Sequence, residues 1–311
     1  MSAESSVLIA LGGNALILPG ERGYIEEQFH HTDACMRPIA ALISQGTQVV
    51  ITHGNGPIVG NILLRNECGY IPPMPLYICV ADSQGGIGAM MAESLGNELR
   101  RLGVDKTISV IITHILVARD DPAFEEPSKP IGPYYSEGDA AKYINEGWKM
   151  REIPGRGWRR VVPSPKPQEI VEMQGIRTAF ENGIIPIVVG GGGIPVVKEE
   201  GLLKGIDAVI DKDLAASLLA CELRVERFVI LTDVDGVYLH WETEKRRRLE
   251  SLIVKDAERY LTQGQFPPGS MGPKVAAAIQ FLQLGGKDAV IAKSEDLIQA
   301  MQGSAGTRIS M

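Results

Sequence analysis

Two lysines stand where a lysine is electrostatically misplaced. Lys212 follows the apolar run Ala208 to Ile210, inside Asp211-Lys212-Asp213, and opens a helical stretch from Leu214 to Leu223. Lys274 closes Pro267-Pro268-Gly269-Ser270-Met271-Gly272-Pro273-Lys274, in or near the first turn of an Ala-rich helix that Ser270 is placed to cap. The amino end of a helix is its positive end, and a cation there costs roughly 0.3–1 kcal/mol unless an anion offsets it. Two such lysines beside glycines are expected to form the arms of a phosphate clamp. A third element of this chemistry is Gly190 to Gly193, which ends the apolar run Ile184 to Val189. Its backbone N–H groups, bare of side chains, are expected to let a ligand approach closely.

These groups need a frame that brings strand ends together. Val7 to Leu11 is expected to be a strand ending at Gly12-Gly13-Asn14, and Gln48 to Thr52 another ending at His53-Gly54-Asn55-Gly56-Pro57. Gln28 to Ser44 has helical spacing, Ser83 to Leu102 reads as a helix with Asp82 as its cap, and Thr107 to Val117 reads as one buried strand. Further strands end at Thr232-Asp233 and span Ala289 to Ile291, with a hairpin turn expected at Asp235-Gly236. Strand-loop-helix repetition predicts an α/β fold: an open three-layer αβα sandwich with a mainly parallel central sheet. In such sheets ligands lie beyond the carboxyl ends of the strands, where the glycine clusters converge. A tight turn explains any one cluster, but not several on one rim.

Between about 119 and 160 the pattern lapses. The segment is rich in Pro, Gly and charge, yet carries Phe124, Tyr134, Tyr135, Trp148 and Trp158. That is too long for a connection and too aromatic for a linker, so it is expected to be a small inserted lid subdomain. Two familiar nucleotide signatures fail. No G-x-x-x-x-G-K-[ST] occurs, and in HGNGPIVG (His53 to Gly60) the last glycine falls one residue late for G-x-G-x-x-G.

Composition narrows the class. The chain has 311 residues, 44% of them hydrophobic, with a net charge of -7, which argues against a nucleic-acid or anionic-membrane partner. Cys35, Cys68, Cys79 and Cys221 are scattered and read as free thiols of a reducing, cytoplasmic setting. Neither a signal peptide nor a membrane span is expected.

Longer motifs carry a resemblance. ALGGNAL (Ala10 to Leu16), THGNGPIVGN (Thr52 to Asn61), the stretch from Asp121 to Pro133, GRGWRRVVPSPKP (Gly155 to Pro167), GGGGIPV (Gly190 to Val196), AVIDKD (Ala208 to Asp213) and GSMGPK (Gly269 to Lys274) together resemble the carbamate kinases of the amino-acid kinase superfamily. The resemblance implies reversible phosphoryl transfer between carbamoyl phosphate and ADP, Mg²⁺ arriving with the nucleotide, and a homodimer. It also implies an amino-terminal lobe, 1–205, for the carbamoyl compound and a carboxy-terminal nucleotide lobe, 206–311. On matching residues, Lys129 of the lid, Lys212 and Lys274 contact the migrating phosphoryl group, and Asp213 positions the lysines or the metal-bound nucleotide. Asn14 and the backbone at Gly12, Gly13, Gly54, Asn55 and Gly56 hold oxygens of the phosphoryl group and the carbamate, with Gly191 and Gly192 nearby. The nucleotide falls to Thr232, Asp233, Val234, Tyr238, Gly269, Ser270 and Met271.

No protein ligand set for a metal is expected, since magnesium leans on phosphates. Carbamate is already an anionic nucleophile, so no catalytic base is needed. Acetylglutamate kinases, which resemble the first strand, carry lysine at the place of Ala10; here Lys129, held between Pro127 and Pro130, is the substitute. Tyr77, Asp82 and His114 depart from the family pattern and leave open another small carboxylate or carbamoyl acceptor. A non-catalytic nucleotide or metabolite sensor is the alternative of a different class.

Overall fold

The computed structural model describes residues 5–12, 16–18, 21–66 and 72–311; Gly13, Asn14 and Cys68 lie outside them. Along the chain, β1 (Ser6–Leu11) leads through α1 (Ile25–Ser44) to β2 (Gln48–His53), then α2 (Gly56–Asn66), α3 (Leu76–Arg101), β3 (Ile108–Ile111) and β4 (His114–Val117). An insertion follows: β5 (Lys129–Tyr135), α4 (Glu137–Asn145), β6 (Met150–Ile153) and β7 (Gly157–Val162). The chain resumes with β8 (Pro167–Ile170), α5 (Met173–Glu181), β9 (Ile185–Val188), β10 (Ile194–Glu199), β11 (Leu202–Gly205), α6 (Lys212–Leu223) and β12 (Arg227–Thr232). It ends with β13 (Val237–Leu239), β14 (Arg247–Leu249), β15 (Ser251–Ile253), α7 (Val254–Thr262), α8 (Met271–Gln283), β16 (Asp288–Lys293), α9 (Leu297–Gln302) and β17 (Thr307–Ser310).

The main sheet has eight strands in the order β15-β17-β16-β12-β1-β2-β9-β3, all neighbours parallel except β16 and β17. β1 sits near its middle because every residue of SVLIAL can be buried. Alternation along β1 then assigns the two faces. Leu8 and Ala10 join one core with α5, α6, α7 and α8, whereas Val7, Ile9 and Leu11 join the other with α1, α3 and α9. The expected three-layer arrangement follows from that alternation. A second sheet, β11-β10-β4-β8, flanks the first.

The insertion is a sheet of its own, β5-β7-β6, antiparallel throughout and running to Val162, two residues beyond the expected boundary. It is spliced between β4 and β8, which pair antiparallel with Ile115 opposite Ile170. Aromatic stacking replaces an aliphatic core there: Tyr143 and Trp148 stack at 4.4 Å, with the Arg160 guanidinium 4.2 Å from the Trp148 ring centre.

Three sequence expectations are corrected. Thr107 to Val117 is two strands in different sheets, β3 beside β9 and β4 beside β10. At the break the Gln84 side chain acts as a surrogate strand partner, accepting from Thr113 N at 2.9 Å and donating to Thr113 O at 3.1 Å. Helix α3 begins at Leu76, because Leu76, Cys79, Val80 and Ser83 form one buried face, so Asp82 is an exposed mid-helix residue and caps nothing. Asp235-Gly236 is not the hairpin turn. Val237 pairs with Leu249 and Leu239 with Arg247, so residues 240–246 make the turn. Gly236 is instead needed where a Cβ would lie 2.7 Å from Thr307 Oγ1. Nearby on β14, Arg248 is half-buried and donates to the carbonyls of Asp235 and Gly306 at 3.1 and 3.0 Å.

Candidate active site

The carboxyl ends of β1, β2, β12 and β16 open into a cleft of about 520 Å³. Three helices point their amino ends into it: α2 at Gly56, α6 at Lys212 and α8 at Ser270. Each brings unsatisfied N–H groups and the positive end of its dipole, so the cleft is made for an anion before any side chain is counted.

Side chains add to this. Asp211 is the N-cap of α6, its Oδ1 accepting from Asp213 N at 3.0 Å. That cap fixes the next two residues. Lys212 Nζ donates to Asp213 Oδ1 at 2.5 Å, and Lys274 Nζ, arriving from the fourth position of α8, donates to Asp213 Oδ2 at 2.9 Å. One carboxylate, with its side chain 4% exposed, thereby holds two ammonium groups side by side. Burial alone would raise the Asp213 pKa, but the charges of Lys212 and Lys274 outweigh it and hold the carboxyl far below the usual range. For Lys212, burial pulls the pKa below its ordinary value despite Asp213, with the Lys274 charge acting in the same direction. Lys129 reaches the same place from β5, donating to Asp211 Oδ2 at 2.7 Å. The three lysines expected to form the clamp are therefore gathered on two neighbouring carboxylates.

Gly12, Gly54, Asn55, Gly56, Gly191, Thr232, Asp233, Gly269 and Ser270 line the same cleft. Their roles differ from a uniform row of donors. The Gly54 N–H is spent on Leu11 O at 3.0 Å, and the Asn55 amide donates to Ser83 Oγ at 3.2 Å. Ser270 occupies the N-cap place of α8, but its side chain makes no cap bond. Gly192, Val234, Tyr238 and Met271 are not among the cleft-lining residues. The Gly192 N–H turns back to Val189 O at 3.1 Å, Met271 packs on the core, and Tyr238 donates to Asp235 Oδ1 at 2.7 Å while its ring meets Trp241.

The glycine run has a further reason that its sequence does not show. All four glycines are buried, and added Cβ atoms would strike the protein itself: His53 Nε2 at 2.5 Å from Gly190, Asn55 Nδ2 at 2.3 Å from Gly191, Ile210 O at 2.4 Å from Gly192, and Ile115 Cγ1 at 2.2 Å from Gly193. Glycine is required for the loop to pack beneath the site. His53, fully buried with Nδ1–H donating to Gly54 O at 3.0 Å, is held neutral by that burial, its pKa pulled down to about 4.

Sequence reasoning passed over Asp211 and Lys293 as site residues. Lys293 ends β16 opposite Thr232, and the strand-end rule could have found it. Asp211 declares itself only through contact with Lys129, 82 positions away.

Residues 5–293 match the amino acid kinase family. The chain is 48% identical over 309 residues to the carbamate kinase of Pyrococcus horikoshii, covering 98% of each, and 47% identical over 308 residues to that of Pyrococcus furiosus, covering 97% of this chain and 98% of the relative. Among solved structures it is similar to carbamate kinase from Giardia lamblia bound to AMP-PNP, with a TM-score of 0.92 and 42% identity over 100% of this chain and 99% of that one. The fold, the cleft at its strand ends and these similarities agree: the chain belongs to the amino acid kinase family and, within it, to the carbamate kinases.

Proposed function

We propose that the chain is a carbamate kinase, moving a phosphoryl group between carbamoyl phosphate and ADP to give ATP and carbamate. The observation that carries this reading is the meeting of Lys129, Lys212 and Lys274 at the amino ends of α6 and α8. In the direction of ATP formation, an ADP β-phosphate oxygen bonds to phosphorus as the bond to the carbamoyl oxygen breaks, and that oxygen leaves as carbamate. A loose transition state of this kind spreads charge over three equatorial oxygens. Ammonium groups and backbone donors set in place beforehand neutralise that charge without reorganising. Lys212 and Lys274 face the transferring group, with Asp213 keeping them parallel, and Lys129 closes on it from the insertion. The backbone at Gly12 and Gly56 serves the carbamoyl side, together with Asn14, which lies outside the described residues. Thr232, Asp233, Gly269 and Ser270 serve the nucleotide side.

Mg²⁺ fits this cleft as an ion carried by the nucleotide, because Asp233 and Thr232 offer hard oxygen ligands beside the phosphate site and magnesium takes most of its ligands from phosphate and water. Bound there, it would neutralise charge on the nucleotide's phosphates. The proposed division into lobes at 205 and 206 would separate β1 from β12 within the main sheet, where their parallel pairing would join the two parts. A homodimer rests on the family resemblance, and a cytoplasmic location on that resemblance and on the free thiols of Cys35 and Cys221. Sedimentation giving a monomer at micromolar concentration would remove the dimer. No described helix is long and apolar enough to cross a membrane.

A coupled assay of ATP formation from ADP and carbamoyl phosphate tests the function directly. Lys212→Ala is expected to lower kcat by roughly a thousandfold, the scale of losing one preorganised charge at the transition state. Activity of that variant close to wild type, or no ATP from the wild type, would defeat the reading.

A further inference from the structure

Strand β5 brings Lys129 to the cleft and is held at two points along its length. At Gly132 its backbone lies against α2, where a Cβ added to Gly60 would stand 3.0 Å from Gly132 Cα. Arg159 Nη2 on β7 secures the same point by donating to Gly132 O at 2.8 Å. Three residues earlier, roughly 10 Å along an extended strand, Lys129 donates to Asp211 Oδ2. Asp211 is no arbitrary counterion. Its Oδ1 already caps α6 through Asp213 N, so one carboxylate fixes both the helix that carries Lys212 and Asp213 and the lysine that comes from the insertion.

We propose that Asp211 is a positioning residue: it docks the inserted sheet on α6 so that Lys129 stands beside Lys212 and Lys274 before phosphate arrives, then yields Lys129 to the phosphoryl group. The proposal rests on the phosphoryl-transfer reading for its final step, and on geometry alone for the docking. The Lys129 side chain is 33% exposed and that of Asp211 15%, so water weakens the pair enough for exchange. A phosphoryl group carries more negative charge than a carboxylate and competes for the same ammonium. When Lys129 transfers, Asp211 keeps its bond to the α6 backbone, so the helix is not disturbed by the exchange.

Asp211→Asn separates the two duties, because an asparagine oxygen can still cap α6 while the charge that holds Lys129 is gone. In the ligand-free enzyme, amide hydrogen exchange in β5 and β7 is expected to quicken roughly fivefold or more, with α6 unchanged. Lys129→Met should loosen the same strands equally. The double variant should be no looser than either single one, as for two halves of one interaction. In steady state Asp211→Asn should lower kcat roughly tenfold, the scale of a misplaced catalytic group, while KM for ADP stays within about twofold.

Unchanged exchange in β5, additive loosening in the double variant, or an unchanged kcat would overturn the proposal. Should asparagine also loosen α6, Lys129→Met alone decides, and unchanged exchange in β5 of that variant overturns it. Because exchange is read without substrate, this outcome stands apart from the assay with carbamoyl phosphate and ADP.

Discussion

Asp213 is the residue on which the site's electrostatics turn. Its two oxygens divide two lysines between them at 2.5 and 2.9 Å, all three groups being nearly out of water. Removing one member of a buried ionic group costs about 3–5 kcal/mol, because the remaining charges stay buried without compensation. Asp213→Asn keeps the shape and removes the charge, so it is expected to lower the melting temperature and to abolish turnover. The same change should make the protein more responsive to inorganic phosphate. An anion bound between Lys212 and Lys274 would replace the missing charge, and binding to the folded state raises stability as the logarithm of one plus ligand concentration over Kd. Melting curves with and without phosphate check this; equal shifts in variant and wild type would contradict it.

At the scale of elements, the glycine loop between β9 and β10 packs against the protein at each of its glycines, with Gly191 also lining the cleft, and this changes what its substitution should do. Gly192 has a φ of +92°, and an added Cβ would lie 2.4 Å from Ile210 O, the carbonyl just before the cap of α6. Gly201 has a similar φ of +84° but nothing within 4 Å of an added Cβ. Gly201→Ala should therefore show backbone strain alone, about 1 kcal/mol. Gly192→Ala should cost about 1–3 kcal/mol more by overpacking and should lower kcat by shifting the Ile210 to Lys212 segment. Denaturant unfolding of the two variants gives the comparison, and equal losses would refute the account.

That loop also shows what a sequence can and cannot say about elements. Helix starts near Lys212 and Lys274 were legible because the residues that mark a start lie within one turn of it, although Ser270 makes no cap bond. The division of Thr107 to Val117 was not, since both halves are apolar and the break is held by Gln84 on another helix. Likewise four glycines in a row announce close approach but not to what. Only the neighbouring positions of His53, Asn55, Ile210 and Ile115 show that the approach is internal.

For the whole molecule, two buried groups make stability fall in acid, both in the same direction but through separate windows. The His53 pKa falls from 6.5 to about 4 on folding, so the unfolded chain binds its proton more readily. Stability from this group is complete above about 6.5, declines as pH falls, and has been lost once pH passes about 4, a change on the order of 3 kcal/mol. Asp213 is depressed below its ordinary value of 3.8, so its contribution survives through that first window and declines only in stronger acid. His53→Asn removes the first titration without touching the second. Urea unfolding of the wild type should show falling stability between about pH 6.5 and pH 4, whereas the variant, less stable at neutral pH, should be nearly flat there before both decline together at lower pH. A wild-type profile without slope in that interval would mean that His53 titrates in the fold as it does in water, and the packing of its ring against Gly190 would then have to be looser than the 2.5 Å approach of an added Cβ implies.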